Sequence, residues 1–309
     1  MAGPGRFGAV LTAMVTPFDD RYALDLDGAA ALARWLVDHG SDALVVAGTT
    51  GEGTVLSNDE KAELWRAVAE AVTVPVIAGS GTNDTRHSVE LTRLAEAAGA
   101  AGILAVTPYY NRPSQAGLDA HFRAVAGATS LPVLIYDIPV RTGRKVGHDT
   151  MLGLAREVSN VVGVKDAAGD VAGSARLLAE APRDFDLYCG EDALNLALLA
   201  VGASGVISVV SHWAGPEIGE MIACFGAGDV DGARARNGEL MTSYAFMSSG
   251  DAPNPLPAKA MMRRLGLSVG QCRLPMGPAS PSLDERAADV LAGLRARPRA
   301  GRGAREPVG

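Results

Sequence analysis

The sequence predicts an α/β protein folded as a closed (β/α)₈ TIM barrel with a C-terminal helical appendage. Eight short apolar runs alternate regularly with longer stretches of helical periodicity. Several of these runs are nearly continuous in Val, Ile, Leu and Ala, as strands covered on both faces are. The eight units occupy about 210 residues with no sign of a reversal in strand order, which favours the barrel over an open doubly wound sheet.

The helices between the apolar runs carry start and stop signals. Ser57 followed three residues later by Glu60 forms a capping box that opens a helix over residues 59–72. Gly40 and Gly99 each end a helix just before the next strand. The eight strands are expected, in order, over residues 9–16, 43–48, 74–79, 102–107, 132–138, 161–166, 186–190 and 205–210.

Beyond the eighth run the pattern is helical. We expect the barrel over residues 1–225 and a C-terminal helical region over residues 226–294. Residues 295–309 are rich in Arg and Gly and offer little to bury, which predicts a disordered tail. The helices that follow the eighth strand are predicted over residues 217–225, 230–247, 256–265 and 284–294.

The composition excludes several classes of protein. The 309 residues are 48% hydrophobic and 20% charged, which provides for a sizeable core and argues against disorder along the length of the chain. A net charge of −7 makes nucleic acids and anionic membranes poor partners. The three cysteines lack disulfide or zinc spacing. The N-terminus lacks a leader pattern and no run is long enough to span a membrane, so we expect a cytoplasmic protein.

Lys165 is the sharpest chemical signal in the sequence. It is the one lysine of four that lies within an apolar strand. The others have simple surface interpretations, because Lys61 follows an acidic helix start, Lys145 lies in a loop and Lys259 falls on an appended helix. Active-site residues of such barrels lie at the C-terminal ends of the strands, where Lys165 stands.

A lysine inside a barrel loses hydration, and its chemistry changes accordingly. Burial lowers the pKa from about 10.4 and leaves part of the lysine as a free amine. That amine can attack a carbonyl carbon and form a Schiff base. The alternative is a structural ion pair between Lys165 and a buried carboxylate such as Asp166 or Glu52.

Three other strand ends carry polar groups. Residues 48–53, Gly-Thr-Thr-Gly-Glu-Gly, could bring backbone N–H groups and hydroxyls onto a small carboxylate, although such a turn is usually only a turn. The adjacent Tyr109 and Tyr110 suit a subunit contact or proton transfer, with packing as the commoner reason for them. The fifth strand end supplies the phenol of Tyr136 and the guanidinium of Arg141, which suits a carboxylate ligand.

The histidines do not predict a metal site. They show no metal-ligand spacing, and we expect neither a metal nor another cofactor. Four fall on predicted helices or loops and are interpreted as surface groups. His212 follows the eighth strand and is a minor candidate for the active site. The five are His39, His87, His121, His148 and His212.

Five motifs occur in order at successive strand ends. They are residues 48–52 (GTTGE), 108–110 (PYY), 136–143 (YDIPVRTG), 164–169 (VKDAAG) and 205–209 (GVISV). Together they resemble the dihydrodipicolinate synthase family of the pyruvate-dependent class I aldolase superfamily. The resemblance extends from residue 8 to residue 294 and favours the Schiff base at Lys165. It implies a lyase that condenses pyruvate with L-aspartate 4-semialdehyde to 4-hydroxy-tetrahydrodipicolinate in diaminopimelate and lysine biosynthesis.

The resemblance also implies catalytic roles. Lys165 would condense with the ketone of pyruvate, and Tyr136, Thr49 and Tyr110 would form a proton relay. Tyr110 would reach in from the neighbouring subunit of a tight dimer. The family is commonly a homotetramer built from two such dimers.

Four further residues are implied to bind substrate. Thr50 would anchor the pyruvate carboxylate, and Gly190 and Ile207 would line the site through their backbones. Arg141 would bind the carboxylate of the second substrate.

One departure from the family pattern concerns regulation. Lysine-inhibited members bind lysine at the tight-dimer interface through histidines and a glutamate. The matching positions here hold Asn58, Lys61 and His87, whereas Asn83 and Tyr109 are kept. A cation at Lys61 repels the ammonium of lysine, so we expect weak or absent inhibition by lysine.

The sequence leaves other functions open. A sister enzyme, N-acetylneuraminate lyase or a 2-keto-3-deoxy sugar acid aldolase, would keep the lysine and tyrosine but bind a polyol. Arg141 and the pair Thr49 and Thr50 favour the synthase. A barrel that binds pyruvate without catalysis is a remote alternative. A metal-dependent class II aldolase needs clustered histidines, which the sequence does not offer.

Overall fold

The computed structural model describes residues 5–295, apart from residues 249 and 251. Eight parallel strands form a closed barrel in which each strand pairs with the next in the chain and β8 pairs with β1. The predicted barrel is confirmed. The strands are β1 (Val10–Ala13), β2 (Ala43–Val46), β3 (Val76–Gly79), β4 (Gly102–Val106), β5 (Val133–Asp137), β6 (Val161–Asp166), β7 (Asp186–Cys189) and β8 (Gly205–Ser208).

Helices connect and surround the strands, and four long helices follow β8. A short 3₁₀ helix, Asp192–Leu194, precedes α8. The α-helices are α1 (Leu26–Asp38), α2 (Asn58–Ala71), α3 (Thr85–Ala97), α4 (Gln115–Ala126), α5 (Pro139–Thr142), α6 (His148–Glu157), α7 (Val171–Glu180), α8 (Asn195–Ala200), α9 (Ser211–Gly226), α10 (Val230–Met247), α11 (Leu256–Arg264) and α12 (Pro281–Arg295).

The alternation of side chains along each strand produces two cores. One lies between the strands and the surrounding helices and includes Leu44, Ile135 and Val164. The other fills the barrel and includes Leu134, Tyr136 and others from successive strands. Because the strands are covered on both faces, their sequences are apolar almost throughout.

The predicted signals for helix starts and helix ends are present in the structure. The Ser57 hydroxyl accepts a hydrogen bond from the Glu60 N–H at 3.2 Å, and the Glu60 carboxylate accepts one from the Ser57 N–H at 2.8 Å. This is the predicted capping box. Gly40 and Gly99 have φ of +92° and +89° just beyond the ends of α1 and α3, a conformation that glycine adopts at little cost.

The strand and helix bounds differ from the predicted ones mostly at the ends. β6 and α10 have the predicted bounds, whereas β1 is shorter than the apolar run that predicted it. α9 begins earlier than expected, at Ser211, and contains a kink at Ala214, two residues before Pro216. The predicted division at residue 225 falls near the end of α9 and stays a prediction. Residues 296–309, most of the predicted tail, lie outside the described residues.

The appended helices are joined to the barrel and to each other. Arg263 of α11 donates a hydrogen bond to Asp284 of α12 at 2.8 Å. Lys259 of α11 forms an ion pair at 2.7 Å with Glu52, which follows β2. None of the helices in the described ranges combines the length and apolar character that a membrane crossing needs.

Candidate active site

Lys165 and Tyr136 lie side by side at the C-terminal ends of β6 and β5. They are direct partners in the register of these two strands, so their side chains point to the same face of the sheet. The Lys165 Nζ lies 4.3 Å from the centroid of the Tyr136 ring. Tyr136 belongs to the core inside the barrel, so both side chains stand in the barrel mouth.

Burial lowers the pKa of the Lys165 amine. The residue is 5% exposed, and the loss of hydration lowers its pKa to about 8. The carboxylate of Asp192 opposes this shift. Asp192 is itself held by the backbone N–H groups of Val209 and Val210, each at 3.0 Å. About a tenth of Lys165 is therefore the free amine at pH 7, far more than for a lysine with the ordinary pKa of about 10.4.

Tyr136 is held as a neutral phenol. Burial raises its pKa to about 12, while the nearby charge of Arg141 and a hydrogen bond with Thr49 act in the opposite direction. A phenol with this pKa keeps its proton at neutral pH and can donate it to an oxygen that becomes negative. Thr49 thus lies within reach of the Tyr136 hydroxyl.

The turn after β2 brings Thr49 and Thr50 to the same place. The Gly53 N–H bonds to the Gly48 carbonyl at 3.0 Å and closes the turn. A Cβ on Gly53 would lie 2.1 Å from the Ala47 carbonyl oxygen, so only glycine fits this tight approach. Thr50 is 3% exposed, and its Oγ1 accepts a hydrogen bond from the Asn254 amide at 3.0 Å.

Gly190 leaves room for the lysine. A Cβ on Gly190 would lie 3.0 Å from both Cγ and Cε of Lys165, closer than side chains normally approach. Ile207, on β8, is 1% exposed and packs in the core inside the barrel. Gly190 also borders the cavity that reaches Lys165, whereas Ile207 borders neither of the two cavities at this end of the barrel.

Two neighbouring cavities open at this end of the barrel. The smaller has a volume of about 240 Å³ and reaches Lys165 and Thr50. The larger, of about 370 Å³, extends toward Lys61 and Tyr109. Both cavities are bordered by the same four residues, Thr49, Tyr136, Ile138 and Arg141.

Tyr110 is the one predicted catalytic residue that this chain does not bring to the site. Its side chain is 90% exposed, and its backbone has φ of +74°. It borders neither of the two cavities. By contrast, Arg141, in the short helix α5, borders both, and its neighbour Val140 is 86% exposed.

The residues predicted to stand at the positions of a lysine-binding pocket form a second group. Lys61, Asn83, His87 and Tyr109 border the larger cavity. Asn58 joins the group through a 2.9 Å hydrogen bond between its Oδ1 and the His87 Nε2. Lys61 is 6% exposed, and burial lowers its pKa.

The surface interpretation of Lys61 and Lys259 is wrong. Lys259 is fully buried, with its Nζ 2.9 Å from the Gln271 carbonyl and 4.2 Å from the centroid of the Phe18 ring. Lys259 also forms an ion pair with Glu52, which the sequence had offered as a possible partner for Lys165. The other possible partner, Asp166, accepts hydrogen bonds from the Ser174 hydroxyl and the Ala168 N–H.

Two histidine interpretations are also wrong. His212 is fully buried beside β8 and does not border the described cavities at the barrel mouth. Its Nε2 accepts a hydrogen bond from the Val15 N–H at 3.1 Å, and its Nδ1 donates one to the Val209 carbonyl at 2.8 Å. Burial lowers its pKa to about 4, so it is a neutral structural group. His121 is likewise buried, 2.9 Å from the Thr85 hydroxyl.

Sequence analysis missed two residues of the site. Asp192 follows the seventh strand end, a position where the barrel fold itself predicts functional groups. Asn254 precedes α11 in the appended region, and its contact with Thr50 joins distant parts of the chain. No local pattern in the sequence indicates such a contact.

The geometry defines an enzyme site for carbonyl chemistry. A buried amine, a phenol that retains its proton and two threonine hydroxyls surround a small cavity at the C-terminal end of a TIM barrel. This is the arrangement of a lyase that works through a lysine Schiff base. In residues 5–295, apart from 249 and 251, no group of three His, Cys, Asp or Glu side chains could hold a metal ion.

Comparisons with known proteins identify the family. Residues 6–293 match the dihydrodipicolinate synthetase family. The 4-hydroxy-tetrahydrodipicolinate synthase of Moorella thermoacetica is 50% identical over 93% of this chain and 98% of its own length. The chain belongs to the dihydrodipicolinate synthetase family.

Solved structures agree with this assignment. The dihydrodipicolinate synthase of Bacillus anthracis superposes with a TM-score of 0.91 at 40% identity, over 96% of this chain and all of that chain. The synthase of Cyanidioschyzon merolae, solved with lysine bound, superposes with a TM-score of 0.92 at 40% identity, over 95% of this chain and all of that chain. The likeness therefore covers both the barrel and the appended helices.

Proposed function

We propose that this chain is a 4-hydroxy-tetrahydrodipicolinate synthase, which condenses pyruvate with L-aspartate 4-semialdehyde in diaminopimelate and lysine biosynthesis. The observation that carries the proposal is the buried Lys165 amine, with a pKa of about 8, beside the Tyr136 phenol. Family membership and the 50% identical synthase support the choice of reaction. The pathway and the charge of the chain suit an enzyme of the cytoplasm.

The first stage makes a nucleophile from pyruvate. The Lys165 amine attacks the ketone carbon, water leaves, and an iminium ion forms. The Tyr136 phenol protonates the hydroxyl that leaves as water, and the resulting phenolate takes a proton from the methyl group, which the electron-withdrawing iminium makes acidic, so an enamine results and the phenol is restored. Thr50 holds the pyruvate carboxylate in the smaller cavity, which both Thr50 and Lys165 border.

The second stage forms the carbon–carbon bond and releases the product. The enamine carbon attacks the aldehyde, and the Tyr136 phenol, in contact with Thr49, gives its proton to the new alkoxide. Arg141 holds the carboxylate of the second substrate. The amine of the added chain then displaces the Lys165 nitrogen and closes the ring.

The proposal includes a tight dimer. Tyr110, the third member of the relay, is 90% exposed and lies away from its own site, as a residue that serves a neighbouring subunit does. Gly190 lines the site of the same chain. We extend the proposal to a homotetramer of two such dimers, as the resemblance implies.

Reductive trapping tests the first stage. Incubation with pyruvate and cyanoborohydride, followed by peptide mass mapping, is expected to place one adduct on Lys165. The Lys165→Arg variant should give none. An adduct on Lys61, Lys145 or Lys259 instead, or no adduct on the folded protein, would overturn the proposal.

The choice of second substrate needs a separate test. The Arg141→Ala variant is expected to raise the KM for aspartate semialdehyde roughly 10- to 100-fold, because a hydrogen-bonded charge pair is lost. Pyruvate trapping on Lys165 should persist in this variant. Unchanged turnover of aspartate semialdehyde, or faster turnover of a sugar acid, would instead favour the sister aldolases.

A further inference from the structure

The turn that carries Thr49 and Thr50 is held from outside the barrel. Its flanking residues Ala47 and Glu52 have φ of +59° and +55°, which is unfavourable for residues with a Cβ. Such a backbone persists only where surrounding contacts hold it. Two of these contacts come from α11 and the residues just before it.

The first contact is a buried ion pair. Lys259 is 2.7 Å from the Glu52 carboxylate, and both residues are almost completely buried. The other Glu52 oxygen accepts a hydrogen bond from the Arg273 N–H at 2.8 Å. Removal of either partner would leave a buried charge unpaired, so the pair fixes where the turn lies.

The second contact reaches a proposed substrate-binding group directly. The Asn254 Nδ2 donates a hydrogen bond to the Thr50 Oγ1 at 3.0 Å. Asn254 also borders the cavity that contains Lys165. The Asn254 Oδ1 is buried without a hydrogen-bond partner among the described residues.

The direction of this hydrogen bond decides what Thr50 can do. A threonine hydroxyl has one proton to donate and two lone pairs that accept. Because Asn254 occupies a lone pair, the Thr50 proton remains free to be donated elsewhere. A carboxylate in the cavity accepts such a proton, and a hydrogen bond to a charged acceptor is stronger than a neutral one.

We infer that Asn254 is a positioning residue, which holds the Thr50 hydroxyl so that its proton points at the carboxylate of pyruvate. This inference rests on the proposed function, in which Thr50 binds that carboxylate. Lys259 supports the same arrangement by fixing Glu52, two residues further along the turn. The helical appendage thus prepares the pyruvate site without touching the reacting carbon.

The test measures pyruvate binding in three variants. Asn254→Ala removes the donor, and the pyruvate concentration that gives half-maximal trapping on Lys165 should rise about fivefold. Asn254→Asp replaces the donor by an acceptor, which draws the Thr50 proton away from the cavity and adds a negative charge, so the rise should be about 50-fold. Asn237→Ala is the control, because that amide lies on α10 and contacts the Met241 sulfur.

A double variant separates positioning from general damage. The Thr50→Val variant has no hydroxyl to orient. Adding Asn254→Ala to it should therefore weaken pyruvate binding little further. The kcat at saturating pyruvate should stay within about threefold of the unsubstituted enzyme, since Asn254 acts on binding rather than on the Lys165 amine.

The outcomes distinguish this inference from the proposed function. If the unsubstituted enzyme gives no adduct on Lys165, the proposed function fails. If it gives the adduct but Asn254→Asp binds pyruvate as well as Asn254→Ala does, the inference about the Thr50 proton is wrong. The inference is also wrong if Asn254→Ala weakens pyruvate binding equally in the unsubstituted enzyme and in the Thr50→Val variant. Circular dichroism and the melting temperature check that each variant is folded.

Discussion

The Lys165 ammonium nitrogen lies 4.3 Å from the centroid of the Tyr136 ring, and the two residues are direct partners on neighbouring strands. This relationship places the proposed nucleophile and the proposed proton donor around the same small cavity. It depends on the barrel, because parallel strands in register bring their C-terminal ends to one edge. Burial then lowers the pKa of the lysine and raises the pKa of the tyrosine.

The pKa of Lys165 predicts how adduct formation depends on pH. With a pKa of about 8, the free-amine fraction falls tenfold for each unit of pH well below that value and levels off above it. The initial rate of pyruvate trapping by cyanoborohydride should follow the same curve. A rate that is flat from pH 6 to pH 9, or that still climbs through pH 10, would contradict the shift.

The same burial predicts a cost in stability. The folded pKa of Lys165 is lower than the unfolded value, so burial of the ammonium destabilises the fold at any pH below about 8, and the cost fades as the pH rises toward 10.5. Lys165→Met should therefore raise the melting temperature at pH 7, with an upper limit of about 3 kcal/mol in the free energy of unfolding.

Calorimetry at two pH values checks this prediction. The increase in melting temperature caused by Lys165→Met should be clear at pH 7 and nearly absent near pH 10.5. At the higher pH the lysine of the unfolded chain also loses its proton, so the difference between the two states disappears. Lys145→Met, which removes an exposed lysine paired with Asp170, is the matched control and should show no such gain. A destabilised Lys165→Met protein at pH 7 would argue against the burial cost.

The sequence predicted the barrel because each strand carries its own local signal. β6 has the expected bounds, since its apolar run is bordered clearly on both sides. Lys61 and Lys259 were misassigned to the surface because their burial depends on segments far away in the chain. Lys259 is covered by Glu52 and Phe18, and no local periodicity indicates that contact. The motifs at the strand ends predicted most residues of the candidate site. The contact between Asn254 and Thr50 could be recognised only in the folded structure, because the two residues are far apart in the sequence.

The Tyr136 hydroxyl should matter for turnover more than for adduct formation. Tyr136→Phe keeps the ring beside Lys165 but removes the proton donor and the contact with Thr49. We expect kcat to fall roughly 100- to 10,000-fold while pyruvate can still be trapped on Lys165.

A second buried phenol provides the control for this substitution. Tyr188→Phe removes a hydroxyl that accepts a hydrogen bond from the Phe7 N–H at 3.1 Å, near the N-terminal end of the barrel. This variant should lose stability but keep most of its turnover. Equal losses of kcat in Tyr136→Phe and Tyr188→Phe would mean that Tyr136 has no special part in proton transfer.

The larger cavity predicts the response to lysine. Lys61 is buried at its edge, which Asn83, His87 and Tyr109 also border. The resemblance implies that lysine-inhibited members carry histidines and a glutamate where this chain has Asn58, Lys61 and His87. A cation there repels the ammonium of lysine, so sub-millimolar lysine should leave turnover unchanged.

Lys61→Glu reverses the charge and should introduce measurable lysine binding. Calorimetric titration against Arg86→Glu, the same charge change at a side chain that is 88% exposed, isolates the effect of the cavity. Inhibition of the unsubstituted enzyme by sub-millimolar lysine would show that Lys61 does not exclude the effector.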